Sequence, residues 1–105
     1  MSRAETKNEL LDAAKTFFAA SFDGIVKLNP DDDAALWVNG FKSPPEISYT
    51  APEKSEPDCV WHGASETLQQ ALFSVRSFES AYISGRVTVS GDMSVLARIA
   101  NTEEN

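Results

Sequence analysis

The sequence holds one cysteine and one histidine in 105 residues. A lone Cys59 excludes an internal disulfide framework, and the want of a Cys/His cluster excludes a structural zinc site. Cations are scarce as well: nine Lys and Arg stand against sixteen Asp and Glu, a net charge of −7. Nucleic-acid binding needs clustered cations to neutralise phosphates, so that balance argues against a nucleic-acid partner. It argues equally against electrostatic docking on an anionic membrane, where each basic residue contributes about 1 kcal/mol. The five glycines are scattered singly and form neither GxGxxG nor a Walker pattern, which removes the phosphate loops. Long apolar runs are missing too. Phe17-Phe18-Ala19-Ala20 falls far short of the roughly 20 residues of a membrane span, so no stable membrane insertion is expected. The charged N-terminus lacks the apolar stretch of a secretory signal, and Glu103-Glu104-Asn105 is no peroxisomal address. With a free thiol, the expected location is a reducing cytoplasm.

What is present has the composition of a globular protein, 42% hydrophobic and 10% aromatic, in a length that fits one domain over residues 1–105. Leu10, Ala14 and Phe17, widened by Leu11 and Phe18, predict an amphipathic helix over 2–20. Capping boxes are possible at Ser2/Glu5 and at Thr6/Glu9. Gly24–Leu28, Ala34–Val38 and Glu46–Thr50 read as three strands joined by turns. Asn29-Pro30-Asp31-Asp32-Asp33 supplies the first turn, and Asn39-Gly40 supplies a type I′ hairpin signal. Residues 51–57 read as a crossing loop and Asp58–His62 as a fourth strand. Ser65 is the expected N-cap of a helix carrying Leu68, Ala71, Leu72 and Val75 at i, i+3, i+4 and i+7. Phe78–Ile83 reads as a further helical turn ended by Gly85. Arg86–Ser90 alternates as a strand, and Asp92 caps a last helix with Met93, Leu96, Ala97 and Ala100 in register. The order is α-β-β-β-β-α-α-β-α, and burial of the amphipathic helices on a sheet predicts a two-layer α+β fold.

Catalytic sets are hard to build from this chain. Cys59 and His62 lie three apart on a strand, so their side chains point to opposite faces and cannot form a nucleophile–base pair. Asp31-Asp32-Asp33 fails the calcium-loop template, which would place Gly and Glu where Leu36 and Lys42 stand. Ser48, Ser65 and Ser90 lack the flanking glycines of a nucleophile elbow. The expectation is a protein that is not an enzyme and needs no cofactor. The richer inventory is apolar: Trp37, Tyr49 and Trp61 on three strands, with Phe17, Phe18, Leu68, Leu72, Phe78, Tyr82 and Leu96 in the helical layer. These side chains either fill a plain core or wall a cavity, and periodicity leaves both open.

From Asp58 onward the chain resembles the sterol carrier protein type two family. Asp58-Cys59-Val60-Trp61-His62 stands where that family has its fourth strand, and Ser65–Phe73 where it has the following helix. Ser80-Ala81-Tyr82-Ile83-Ser84-Gly85-Arg86-Val87-Thr88-Val89-Ser90-Gly91-Asp92-Met93 follows the family's pattern through its last strand. Leu36-Trp37-Val38 with Gly40 is similar to the second strand and its hairpin.

The resemblance implies a five-stranded mixed sheet with helices on one face and an apolar tunnel between the layers. It implies non-enzymatic binding or transfer of a lipid: a fatty acid, acyl-CoA, phospholipid or sterol-like molecule. On the same basis Trp61, Leu68, Leu72, Phe78, Tyr82, Ile83, Met93 and Leu96 are expected to wall the cavity, with Ser84 at its polar mouth. Ser84 stands where the family often has Gln, and −7 contrasts with the basic animal carriers. The chain stops soon after Ala100, so an open or small pocket is expected. The partner is then a lipid or other apolar small molecule, bound by a monomer or homodimer. The alternative function is a protein-interaction or dimerisation module that keeps the fold without lipid.

Overall fold

The computed structural model describes the backbone of residues 2–51 and 56–104, and the side chains of residues 10–51 and 56–99. Helix α1 (Ser2–Phe17) is followed by strands β1 (Ile25–Pro30), β2 (Leu36–Asn39), β3 (Glu46–Ser48) and β4 (Cys59–Gly63). Helices α2 (Ser65–Ala71) and α3 (Val75–Ile83), strand β5 (Thr88–Gly91) and helix α4 (Ser94–Glu104) complete the chain. The five strands form one mixed sheet in the order β3-β2-β1-β4-β5. β1 and β4 pair in parallel, Leu28 opposite Trp61, and every other pairing is antiparallel. The parallel pair forces a crossover between β3 and β4, the role expected of residues 51–57, of which 52–55 lie outside the described residues. The capping pairs expected at Ser2/Glu5 and Thr6/Glu9 lie outside the described side chains.

Alternation decides which face of the sheet is dry. Val26, Leu28, Leu36, Val38, Cys59 and Trp61 are buried against the helices. Their neighbours Lys27, Asn29, Trp37, Asn39, Val60 and His62 sit on the wetter face, where the Lys27 Nζ lies 5.1 Å from the Trp37 ring centroid. Cys59 and His62 therefore stand on opposite sides, as a strand requires.

Three local expectations are corrected. The turn after β2 is not type I′: Gly40 has no positive φ. It is glycine for space, because a Cβ there would run into the Phe22 ring. Its carbonyl accepts from the Phe22 and Asp23 amides at 3.0 and 3.1 Å and from the Ser21 hydroxyl at 2.7 Å. Second, Ser65 is the first helical residue of α2; the N-cap is Ala64, which offers no side-chain cap. Asp32 supplies it from the turn after β1, Oδ1 accepting from the Ser65 amide at 2.8 Å and Oδ2 from the Ser65 hydroxyl at 2.9 Å. Third, the apolar run expected as one helix over 65–75 breaks at Leu72. Ser74 caps α3, its hydroxyl accepting from the Ser77 amide at 3.1 Å.

α3 ends in a Schellman turn. Gly85, at φ +83°, donates to the Tyr82 carbonyl at 3.2 Å while the Arg86 amide donates to the Ala81 carbonyl at 2.9 Å. Asp92 caps α4 as expected, Oδ1 accepting from the Ser94 amide at 2.9 Å. Arg98 then ties α4 to the segment before β1, donating to the Phe22 carbonyl at 2.9 Å and the Asp23 carbonyl at 3.2 Å.

Candidate functional site

Trp61 stands at the centre of the helix-facing side of β4 and is wholly buried. Aromatic rings run through it from one helix to another. Phe17 and Phe18 approach it edgewise or tilted at 6.2 and 5.7 Å, and Phe78 stacks on it at 4.3 Å with Tyr82 stacked 6.0 Å beyond. Phe78 and Tyr82 are one turn apart on α3, so helical spacing alone aligns their rings.

Beside this stack lies a cavity of about 250 Å³ that opens to solvent. Its floor is Trp61 with Phe17, one wall is the Val75–Phe78–Tyr82 face of α3, and the other is Leu96 and Ile99 of α4. Glu79 and Ala97 also line it, and both are exposed, so they mark the rim. The polar side-chain groups of the lining residues are the Glu79 carboxylate, the Tyr82 hydroxyl and the Trp61 indole N–H, the last of them buried away from solvent. That N–H is the one fully buried side-chain polar atom among the described residues without a hydrogen bond. Its neighbour on the same face of β4 is the Cys59 thiol, a weak acceptor at best. Burial pushes the Cys59 thiol up, and the Trp61 N–H offsets part of that effect.

Of the residues expected at the cavity wall, Trp61, Phe78, Tyr82 and Leu96 line this space together. Leu68 and Leu72 are buried deeper, in the core under α2. Ile83 and Met93 turn outward, 82% and 43% exposed. Ser84 lies away from the rim; its hydroxyl donates to the Ala81 carbonyl at 3.2 Å and accepts from Arg86 Nε at 2.9 Å. Phe17, Val75, Glu79, Ala97 and Ile99 were not singled out as wall residues from the sequence. The i, i+3, i+4, i+7 spacing of Val75, Phe78, Glu79 and Tyr82 carries the signal that would have found Val75 and Glu79.

No protein-family model matches the chain, and no curated protein matches it in sequence. Solved structures do. A protein described as a UbiJ-SCP2 ubiquinone synthesis protein superimposes with a TM-score of 0.63 at 14% identity, covering 98% of this chain and 96% of its own. The sterol carrier protein domain 2 of Helicoverpa armigera gives 0.59 at 13% identity, covering 96% and 84%. The apo form of sterol carrier protein 2 from Yarrowia lipolytica gives 0.54 at 14% identity, covering 81% and 75%. The fold is that of the sterol carrier protein type two domain. In this SCP2-like fold the described cavity lies between the sheet and helices α1, α3 and α4. No helix of the chain, among the described residues, is long and apolar enough to cross a membrane.

Proposed function

We propose that this SCP2-like chain is a non-enzymatic carrier that holds part of a lipid in the cavity beside Trp61. The observation that carries the reading is the lining: aromatic and aliphatic groups from α1, β4, α3 and α4 converge on one space and leave its polar groups at few points. Size limits what fits. A volume of about 250 Å³ exceeds the roughly 150 Å³ cavity that takes benzene and falls just under the ordinary range of ligand pockets. The cavity therefore takes one segment of a long amphiphile, and the remainder leaves past Glu79 and Ala97. Were such a space closed and dry, its walls would lose about 6 kcal/mol of contacts, so a guest stabilises the fold as well as being held by it.

Within the lipid class the rim favours a neutral head. Glu79 at the mouth and a net charge of −7 disfavour a free carboxylate, whereas Tyr82 can hydrogen-bond a carbonyl or hydroxyl. The structural neighbour described as a ubiquinone synthesis protein makes a prenylated quinone a concrete candidate, and the flat Trp61–Phe78–Tyr82 stack suits a planar ring. A cytoplasmic location and a monomeric or dimeric state belong to the same proposal.

Mass spectrometry of organic extracts from the natively purified protein tests the carrier directly. Quenching of Trp61 fluorescence in a Trp37→Phe background, with a short-chain ubiquinone and with lauric acid, ranks neutral against anionic guests. A co-purifying lipid, or saturable quenching stronger for the quinone, is expected. No extracted lipid and no quenching by either probe would remove the carrier function.

A further inference from the structure

α3 separates two spaces of opposite character. Its Val75–Phe78–Tyr82 side faces the apolar cavity, and its Arg76–Ser77–Ser80 side faces a groove of about 450 Å³ against α2. That groove is lined by Arg76 and Arg86, the hydroxyls of Ser77 and Ser80, the Gln70 amide and the Phe73 ring among others, and by no carboxylate. In a chain with sixteen acidic and nine basic residues, two arginines lining one groove that no acidic residue lines is a departure from the average surface.

Neither arginine is neutralised by a described carboxylate, and only Arg86 is held. Arg86 donates through Nε to the Ser84 hydroxyl at 2.9 Å and through Nη2 to the Ser80 hydroxyl at 3.5 Å. These bonds orient its fork while leaving its charge uncompensated. Arg76 makes neither a hydrogen bond nor an ion pair with any described residue. The Schellman turn at Gly85 fixes where the Arg86 backbone leaves α3, and both Arg86 and Arg76 line the groove. Phe73, 84% exposed at the bend between α2 and α3, lends an apolar edge to the same groove.

We propose that the Arg76–Arg86 groove is a binding site for a phosphate group, distinct from the apolar cavity and independent of whether that cavity carries lipid. Guanidinium forks match phosphate oxygens in pairs, and hydroxyl and amide donors complete the shell of a tetrahedral anion. The phosphate belongs either to a soluble phosphorylated metabolite or to a phospholipid headgroup, with Phe73 meeting the attached organic part.

The test monitors arginine side-chain and backbone amide resonances of the full chain by NMR during titration with inorganic phosphate. Ionic strength is held constant with chloride. Co-sedimentation with phosphatidylcholine vesicles, with and without phosphatidic acid, runs in parallel. Saturable shifts at Arg76, Ser77, Ser80 and Arg86 with inorganic phosphate support a soluble source. Sedimentation that requires phosphatidic acid, without a response to inorganic phosphate, supports a headgroup. Arg76→Gln and Arg86→Gln should each weaken the response about tenfold or more, the loss expected for one charge-assisted hydrogen bond. Lys42→Gln removes the same charge from an exposed site elsewhere and should leave the response unchanged. Equal weakening by Lys42→Gln, or no saturable response to either probe, overturns the proposal. Lipid extraction and Trp61 quenching report on the cavity separately, so the two readings fail independently.

Discussion

Asp32 and Ser65, 33 residues apart in sequence, are joined by two hydrogen bonds through both carboxylate oxygens, at 2.8 and 2.9 Å. The contact fastens the start of α2 to the turn that follows β1, and it satisfies a helix-terminal amide that Ala64 cannot reach. Because both bonds favour the charged carboxylate, with the Ser65 amide foremost, the Asp32 pKa is held below the ordinary carboxylate value. A lowered folded pKa contributes stability above the unfolded pKa, near 3.9, and that contribution is lost as pH falls through the folded value. Asp32→Asn should therefore lower the Tm at neutral pH. Thermal melts of both proteins should converge as the pH drops below about 4, the unfolded-state value. Parallel curves across that range would show that the carboxylate charge contributes nothing.

Cys59 titrates in the opposite sense. Its thiol is buried, which raises its pKa, with Asp92 and Asp58 adding smaller effects of the same sign. An acid whose folded pKa is raised binds more protons folded than unfolded, so stability falls once pH exceeds the unfolded thiol value of about 8.5. Lysine and tyrosine titrate in that region too, and a comparison with Cys59→Ala isolates the thiol. The parent should lose Tm more steeply above about pH 8.5 than the variant. The native thiol should also resist an alkylating reagent that modifies it at once in denaturant, because only the thiolate reacts.

Much of this architecture was legible because the strands alternate. Val26 and Leu28, Leu36 and Val38, and Cys59 and Trp61 each skip one residue, and period two fixes their common face. What was illegible shared one cause: long-range contacts overrode a locally valid pattern. Leu68, Ala71, Leu72 and Val75 keep helical register across the break at Leu72, so their spacing cannot reveal that Ser74 starts a new helix. Asn39-Gly40 has hairpin chemistry, yet Gly40 is claimed by the Phe22 ring. The cavity divides along the same line. Leu72 and Phe78 are alike in hydropathy, and only the placement of α4 decides that Phe78 meets open space while Leu72 meets packed core.

Two glycines with positive φ differ in what surrounds them. At Gly85, φ +83°, an added Cβ would meet nothing within 4 Å, so Gly85→Ala carries only the left-handed torsional cost of about 1–2 kcal/mol. At Gly91, φ +107°, the Cβ would collide with the Asp58 carbonyl oxygen and approach the Cys59 Cα. Both are backbone atoms, Cys59 the first residue of β4 and Asp58 the residue before it, whose carbonyl accepts from the Asp92 amide at 2.7 Å, and neither can rotate aside. Gly91→Ala should therefore cost more than Gly85→Ala, beyond about 3 kcal/mol, the upper end of torsional strain alone. Urea denaturation of the pair reads the difference; equal losses would mean that β5 shifts away from β4 without penalty.

Ala97 offers the cleanest probe of the cavity because it lines the rim of the space and is itself exposed. A phenyl ring added there can turn inward over Leu96 and Tyr82 without disturbing the Trp61 stack. Stability should change by no more than about 0.5 kcal/mol, as for other surface substitutions. Binding should respond strongly. Each methylene excluded from the cavity costs about 0.8 kcal/mol, so displacing two weakens a guest about tenfold. Ala97→Phe, titrated with short-chain ubiquinone and read through Trp61 quenching in the Trp37→Phe background, should show at least that loss. Lys42→Gln, remote from the cavity, should match the parent. A titration curve for Ala97→Phe that overlays the parent's would mean that the guest is held somewhere other than between α3, α4 and Trp61.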